Sequence, residues 1–178
     1  MEILDILNPD GTNAGYTAKK SEAHKQGLWH AASHAWIIDN NKNVFIQRRS
    51  KSKENHPDFY DISIGGHISA GETHLEAMVR ETREEAGLMF DEEEFQYIGK
   101  RTLSYTENNG TYINHEWIYL YVLCTDKDVS EFTPQPSEVD HFIKLPLREL
   151  AEWISTEKED CICDPKSFEM LNNYLSNK

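Results

Sequence analysis

Residues 66–88 of this 178-residue chain read GHISAGETHLEAMVRETREEAGL and set Glu81, Glu84 and Glu85 at i, i+3 and i+4. On a helix these carboxylates gather roughly 120° from an apolar stripe made by Leu75, Met78, Val79, Thr82 and Ala86. Like charges at that spacing destabilise a bare helix by about a few tenths of a kcal/mol each. A hard divalent cation such as Mg²⁺ removes the repulsion, because it prefers oxygen ligands and leaves positions open for water and phosphate oxygens. A solvated acidic face would explain the triplet taken alone.

The helix that must carry these acids has clear ends. Thr73 with Glu76 three residues on forms a capping box, and Gly87 is the expected left-handed stop. Before it, residues 2–7 and 15–18 predict a hairpin turning at Asn8-Pro9-Asp10-Gly11. SEAHKQGLWH is read as a polar connection. Residues 34–49 predict a second hairpin, with Asn40, Asn41 and Asn43 as turn residues. SKSKENHPDFYD follows as a loop, and ISIGGHIS leads into the helix.

After Leu88, strand-like alternation resumes as far as a turn at Asn109-Gly110. HEWIYLYVLCT and SEVDHFIKLP are further strands. PLRELAEWI is a helix, and Asp164-Pro165 supplies an N-cap and first-turn proline for a last one. Strands on both sides of a central helix predict an α/β fold with a mixed sheet covered on two faces.

The composition narrows the function. With 18 basic and 31 acidic side chains the formal net charge is −13, which argues against binding nucleic-acid polymers or anionic membranes. Three cysteines, Cys124, Cys161 and Cys163, suggest neither a disulfide framework nor a four-ligand zinc site. Cys124, in the apolar run IYLYVLC, is expected in the core. MEILDILNPDG has neither a basic start nor a long apolar segment, so no leader is expected and the cytoplasm is the expected location. The oligomeric state, monomer or homodimer, stays open.

The register Gly66, Glu72, Arg80-Glu81, Glu84-Glu85, Gly87 and Leu88 resembles the Nudix box of the Nudix hydrolases, with one departure at Thr82, where the family prefers an aliphatic residue. That resemblance implies one α/β/α sandwich domain over residues 1–178, with a mixed central sheet. It implies a hydrolase that cleaves a diphosphate linkage in a small nucleoside diphosphate-type substrate with Mg²⁺ or Mn²⁺. Glu81, Glu84, Glu85 and the Gly66 carbonyl become the metal ligands, and Glu84 or Glu85 also orients or deprotonates the attacking water. Arg80 and Glu72 become a pair that fixes the loop to the helix. Arg48, Arg49 and His67 become substrate contacts, guanidinium groups being suited to phosphate.

Residues 24–117 further resemble the Nudix branch containing isopentenyl-diphosphate isomerase. His24, His30, His67 and Glu116 match that enzyme's histidine-rich metal site, while Asn114 stands where another glutamate would be. Glu116 is thus a possible second-site ligand or water-activating base. The isomerase carries a catalytic cysteine just before the Gly-His pair, and this chain has Gly65. A hydrolase is therefore preferred over the isomerase, and over a catalytically inactive nucleotide-binding regulatory module. Trp29, Trp36, Tyr60, Tyr105 and Trp117 are candidates to stack on a base, although core packing is expected for most.

Overall fold

Strand β3 (His30–Ile38) is apolar on both faces, as a central strand must be: Trp36 and Ile38 pack on one side, Ala35 and Ile37 on the other. The computed structural model, which describes residues 2–177, builds a seven-stranded mixed sheet around it. Its other members are β4 (Asn43–Arg49), β5 (Tyr60–Asp61), β6 (Ile64–His67), β7 (Gln96–Glu107), β8 (Tyr112–Cys124) and β9 (Val139–Pro146). The main path runs β5-β4-β3-β8-β7, with β9 beside β4 and only the β3–β8 pair parallel.

Strand β3 shares one edge between two partners. Its C-terminal end pairs with β4 at Ile37↔Phe45 and Ile38↔Val44, while its N-terminal half pairs with β6 from Ala32↔His67 to Ala35↔Ile64. The sheet therefore forks where β4 and β6 separate. Ser63 spans the fork: its hydroxyl oxygen accepts from the Ile37 amide at 2.7 Å, and its carbonyl accepts from Gln47 at 3.3 Å.

Two helical layers cover the sheet. Helix α2 (His74–Ala86) lies on one face, burying Met78 and Ala86 against Ile37, Phe45 and Ile64. Helices α3 (Leu147–Ser155) and α4 (Pro165–Ser176) cover the other with Leu150, Phe168 and Leu171. Each such large apolar side chain contributes about 1.5–3 kcal/mol when fully buried. The N-terminal strands β1 (Ile3–Leu7) and β2 (Asn13–Lys19) make a separate antiparallel hairpin.

Two expectations need correcting. SEAHKQGLWH is not a simple connection: residues 20–26 form helix α1 (Lys20–Gln26), stopped by Gly27 at φ +64°. Ala23 and His24 are buried on its inner face, where Ala23 joins Leu4 and Ile6, so tertiary packing stabilises a segment too short and polar to be periodic. Cys124 is exposed, not core, because it ends β8 opposite Ile38 where the apolar face runs out.

Candidate active site

Helix α2 begins at Thr73, whose side chain accepts from the Glu76 amide while the Glu76 carboxylate accepts from the Thr73 amide. Gly87 ends it at φ +66°, donating to the Arg83 carbonyl. Thr82 is buried and satisfies its hydroxyl on the Met78 carbonyl at 2.7 Å, so the one departure from the box sits in the core without an unpaired polar group.

Between these caps the three box acids take different environments. Glu85 is 4 % exposed and reaches into the sheet fork, accepting from the Gly65 amide at 3.0 Å and from Gln47 at 3.2 Å. Burial, reinforced by neighbouring Glu81, pushes its carboxyl up to about 8. Glu81 is also shifted upward by burial, an effect only partly offset by the Arg80 guanidinium at 2.6 Å. Glu84 is exposed at the rim. Gly66 leaves the space that the Glu81 carboxyl occupies: a Cβ there would lie 2.1 Å from its carbon and from Oε1.

Arg80 ties loop to helix. It makes a two-pronged pair with Glu72, both contacts at 2.9 Å, and donates to the His67 carbonyl at 3.1 Å. The same guanidinium extends to Glu81 and, at 3.4 Å, to Glu84, so it holds the acids as well as the loop. The set fits a divalent cation. Two carboxyls resist ionisation because buried negative charge lacks compensation there, and a cation among Glu81, Glu84 and Glu85 would supply it.

A second cluster lies nearby. The ligand atoms of His24, His30 and His67 all fall within 4.8 Å of one another. Helix α1 contributes His24, β3 His30, β6 His67 and β8 Glu116, whose Oε1 is 3.5 Å from His30 Nε2 and 3.3 Å from His67 Nε2. The Leu28 carbonyl must accept from His30 Nδ1 at 2.8 Å, which in the neutral ring leaves Nε2 as a lone pair; that buried atom has no hydrogen-bond partner. Burial and the like charges of His67 and His30 press His24 down to about 4, and burial also lowers His67. Although burial opposes it, contacts with His30 and His67 hold Glu116 well below the usual carboxylate range. Asn114 donates to Glu116 at 2.8 Å, leaving its own buried oxygen unpaired. Three imidazoles beside a carboxylate suit a transition-metal or divalent cation.

The box acids and Gly66 line one cavity of about 1620 Å³ together with His24, His67 and Glu116 of the second cluster. The NUDIX domain model matches residues 28–164. The chain belongs to that family. It is 33 % identical over 159 residues to Nudix hydrolase 3 of Arabidopsis thaliana, covering 88 % of this chain but 21 % of that protein, so it spans about a fifth of the plant relative's length. It is 28 % identical over 168 residues to isopentenyl-diphosphate Delta-isomerase 1 of Photorhabdus laumondii, covering 90 % and 89 % of the two chains. The crystal structure of DR0079 from Deinococcus radiodurans shares the fold at a TM-score of 0.66 and 23 % identity, over 87 % of this chain and 90 % of that one.

Within this Nudix domain the two adjacent arginines part company. Arg49 lines the cavity, bonded to Asp61 at 3.2 Å and to the Asn55 and His56 carbonyls. Arg48, predicted beside it, is outside the cavity lining: alternation along β4 turns it away to Asp58 and Asp160, with Tyr60 beneath its guanidinium. His67 sits in the histidine cluster, its Nδ1 3.4 Å from Glu2. Of the aromatic candidates, Trp36 is core and Tyr105 faces the cavity, 6.2 Å from Tyr112, which stacks on His24.

The prediction missed Gln47, Tyr112 and Glu2. Gln47 carried a usable signal, an amide inside the apolar run of β4, where a buried polar group demands a partner. No helix among the described residues is long and apolar enough to cross a membrane.

Proposed function

We propose that this Nudix protein cleaves the diphosphate linkage of a small nucleoside diphosphate-type substrate with Mg²⁺ or Mn²⁺ as cofactor. The observation that carries this reading is that Glu81, Glu84, Glu85 and Gly66 share a cavity wall with the cationic side chains of Lys20, Arg49 and Lys53, beside the aromatic rings of Tyr105 and Tyr112. Cationic side chains suit phosphate oxygens, and aromatic faces in the same cavity suit a base.

A divalent ion held by Glu81, Glu84, Glu85 and the Gly66 carbonyl would offset charge on the phosphoryl oxygens and lower the pKa of a bound water. The chain's own residues do the rest. Glu84, exposed to the cavity and steered by Arg80 at 3.4 Å, accepts the water's proton. Glu85 is oriented by the Gly65 amide and Gln47. Arg80, gripped by Glu72, fixes the helix against the loop that carries Gly66.

The test is a panel of nucleoside diphosphate derivatives with Mg²⁺, followed by ³¹P NMR. Monophosphate release should stop on chelation and fall at least about a hundredfold in Glu84→Gln. Unchanged turnover in that variant at saturating Mg²⁺ would refute the assignment.

The histidine cluster favours a second reading, isopentenyl-diphosphate isomerase, since His24, His30, His67 and Glu116 converge and the Photorhabdus relative bears that name. Gly65 weighs against it, because it offers no thiol to protonate or deprotonate carbon. Formation of dimethylallyl diphosphate from isopentenyl diphosphate would reverse this ranking.

A further inference from the structure

One histidine lining the cavity, His34, belongs to neither cluster. Along the sheet face that lines the cavity, paired positions form rows: His30 with Glu116 and Leu103, then His67 with Ala32 and Ile118, then Gly65 with His34. His34 therefore lies on the same face of β3 as the metal-type histidine His30. It is within electrostatic reach of Glu116, Asp61, Arg101 and His67.

Three observations make it unusual. Among the described residues no hydrogen bond forms to either of its ring nitrogens, and neither nitrogen is sealed from the cavity it lines. It interrupts a strand whose next positions on that face are Ala32 and Trp36, where an apolar side chain would pack without a polar group to satisfy. Finally, the bare backbone of Gly65 makes room for the ring: a Cβ at that position would lie 3.2 Å from both Cδ2 and Nε2 of His34. A donor left unpaired, given clearance and pointed into a site is a group waiting for a ligand atom.

We propose that His34 is a catalytic residue of this enzyme, its Nε2–H donating a hydrogen bond to a phosphoryl oxygen of the bound diphosphate. The proposal rests on the hydrolase reading for its substrate class and adds a contact outside the Nudix box. The contact asks for a hydrogen-bond donor only, and burial lowers the imidazole from its ordinary range, which favours the neutral ring. A donor of this kind aligns the diphosphate between the box acids and the cationic wall.

The probe is methylenediphosphonate, a P–C–P analogue that cannot be hydrolysed, titrated calorimetrically with Mg²⁺ into wild type, His34→Ala and His34→Gln. Wild type should bind. His34→Ala should bind about ten- to a hundredfold more weakly, with an undiminished melting temperature and unchanged Mg²⁺ affinity. His34→Gln, whose amide nitrogen reaches the Nε2 position, should recover most of the loss.

Equal binding by wild type and His34→Ala would overturn the proposal. So would a loss matched by weaker Mg²⁺ binding, or no binding by wild type. Glu84→Gln, assayed for hydrolysis in parallel, separates the two ideas. If it turns over substrate like wild type, the hydrolase assignment falls while the diphosphonate result still decides the role of His34.

Discussion

Replacing Glu85 with glutamine probes the physical core of the site, because it removes the ability to ionise while keeping the size and the carbonyl acceptor for Gly65. Burial first, then Glu81, raises the Glu85 carboxyl from 4.5 to about 8. The sign follows directly. A folded-state pKa above the unfolded value means that the folded protein binds the extra proton, so this stability is fully present below pH ~4.5 and is lost as pH rises toward 8. At ~1.4 kcal/mol per unit the loss is on the order of 5 kcal/mol in metal-free protein, a large part of a typical domain's net stability. A bound divalent cation competes with that proton, so Mg²⁺ should return most of the loss and bind more tightly as pH rises. Urea denaturation at pH 5 and pH 8, with EDTA or with Mg²⁺, measures this for wild type and Glu85→Gln. Wild type with EDTA should fall steeply between the two pH values, Mg²⁺ should flatten the fall, and Glu85→Gln should show a shallower fall and little response. Equal pH slopes for both chelated proteins would show that Glu85 ionises freely and refute the reasoning.

Further outcomes follow from the same contacts. Gly66→Ala would set a Cβ 2.1 Å from the Glu81 carboxyl carbon and force that side chain to swing away, so Mg²⁺ affinity by titration and hydrolysis should both fall while stability in urea changes little. Arg80→Ala leaves Glu72 and Glu81 without their shared cation and should cost about 2–4 kcal/mol; Arg80→Lys should recover only part, since an ammonium cannot grip Glu72 with two prongs. Arg48→Ala should leave KM for the diphosphate substrate unchanged, whereas Arg49→Ala should raise it about tenfold or more, a contrast read from steady-state kinetics. His30→Ala should remove one equivalent of tightly bound metal, measured by elemental analysis after dialysis, while leaving the box site able to bind Mg²⁺.

Much of the site was legible because it is local. The capping box at Thr73, the Gly87 stop and the acid spacing lie within one helix, where a 3.6-residue period governs both geometry and sequence. Even the burial of Glu85 was written there, since it falls about 20° from Met78 on the helical wheel, at the edge of the apolar stripe. The histidine cluster could be found only by resemblance, because α1, β3, β6 and β8 contribute one ligand each across a wide span of sequence.

What stayed illegible depends on non-local pairing. Nothing in the residues of β4 and β6 says that both will share an edge of β3, yet that fork is what gives Glu85 the Gly65 amide and Gln47 as partners. The short helix α1 escaped because its stability comes from burying Ala23 against Leu4 and Ile6. Arg48 and Arg49 are the same residue type on adjacent positions, and only the face of the strand decides which meets the cavity.

The most direct test is a Mn²⁺ titration followed by electron paramagnetic resonance, made in a His30→Ala background so that the histidine cluster does not contribute. A cation pocket built by α2 and the Gly66 loop predicts one bound Mn²⁺ that is lost in Glu81→Gln and Glu85→Gln and displaced by Mg²⁺. Equal Mn²⁺ binding with and without those carboxylates would contradict it.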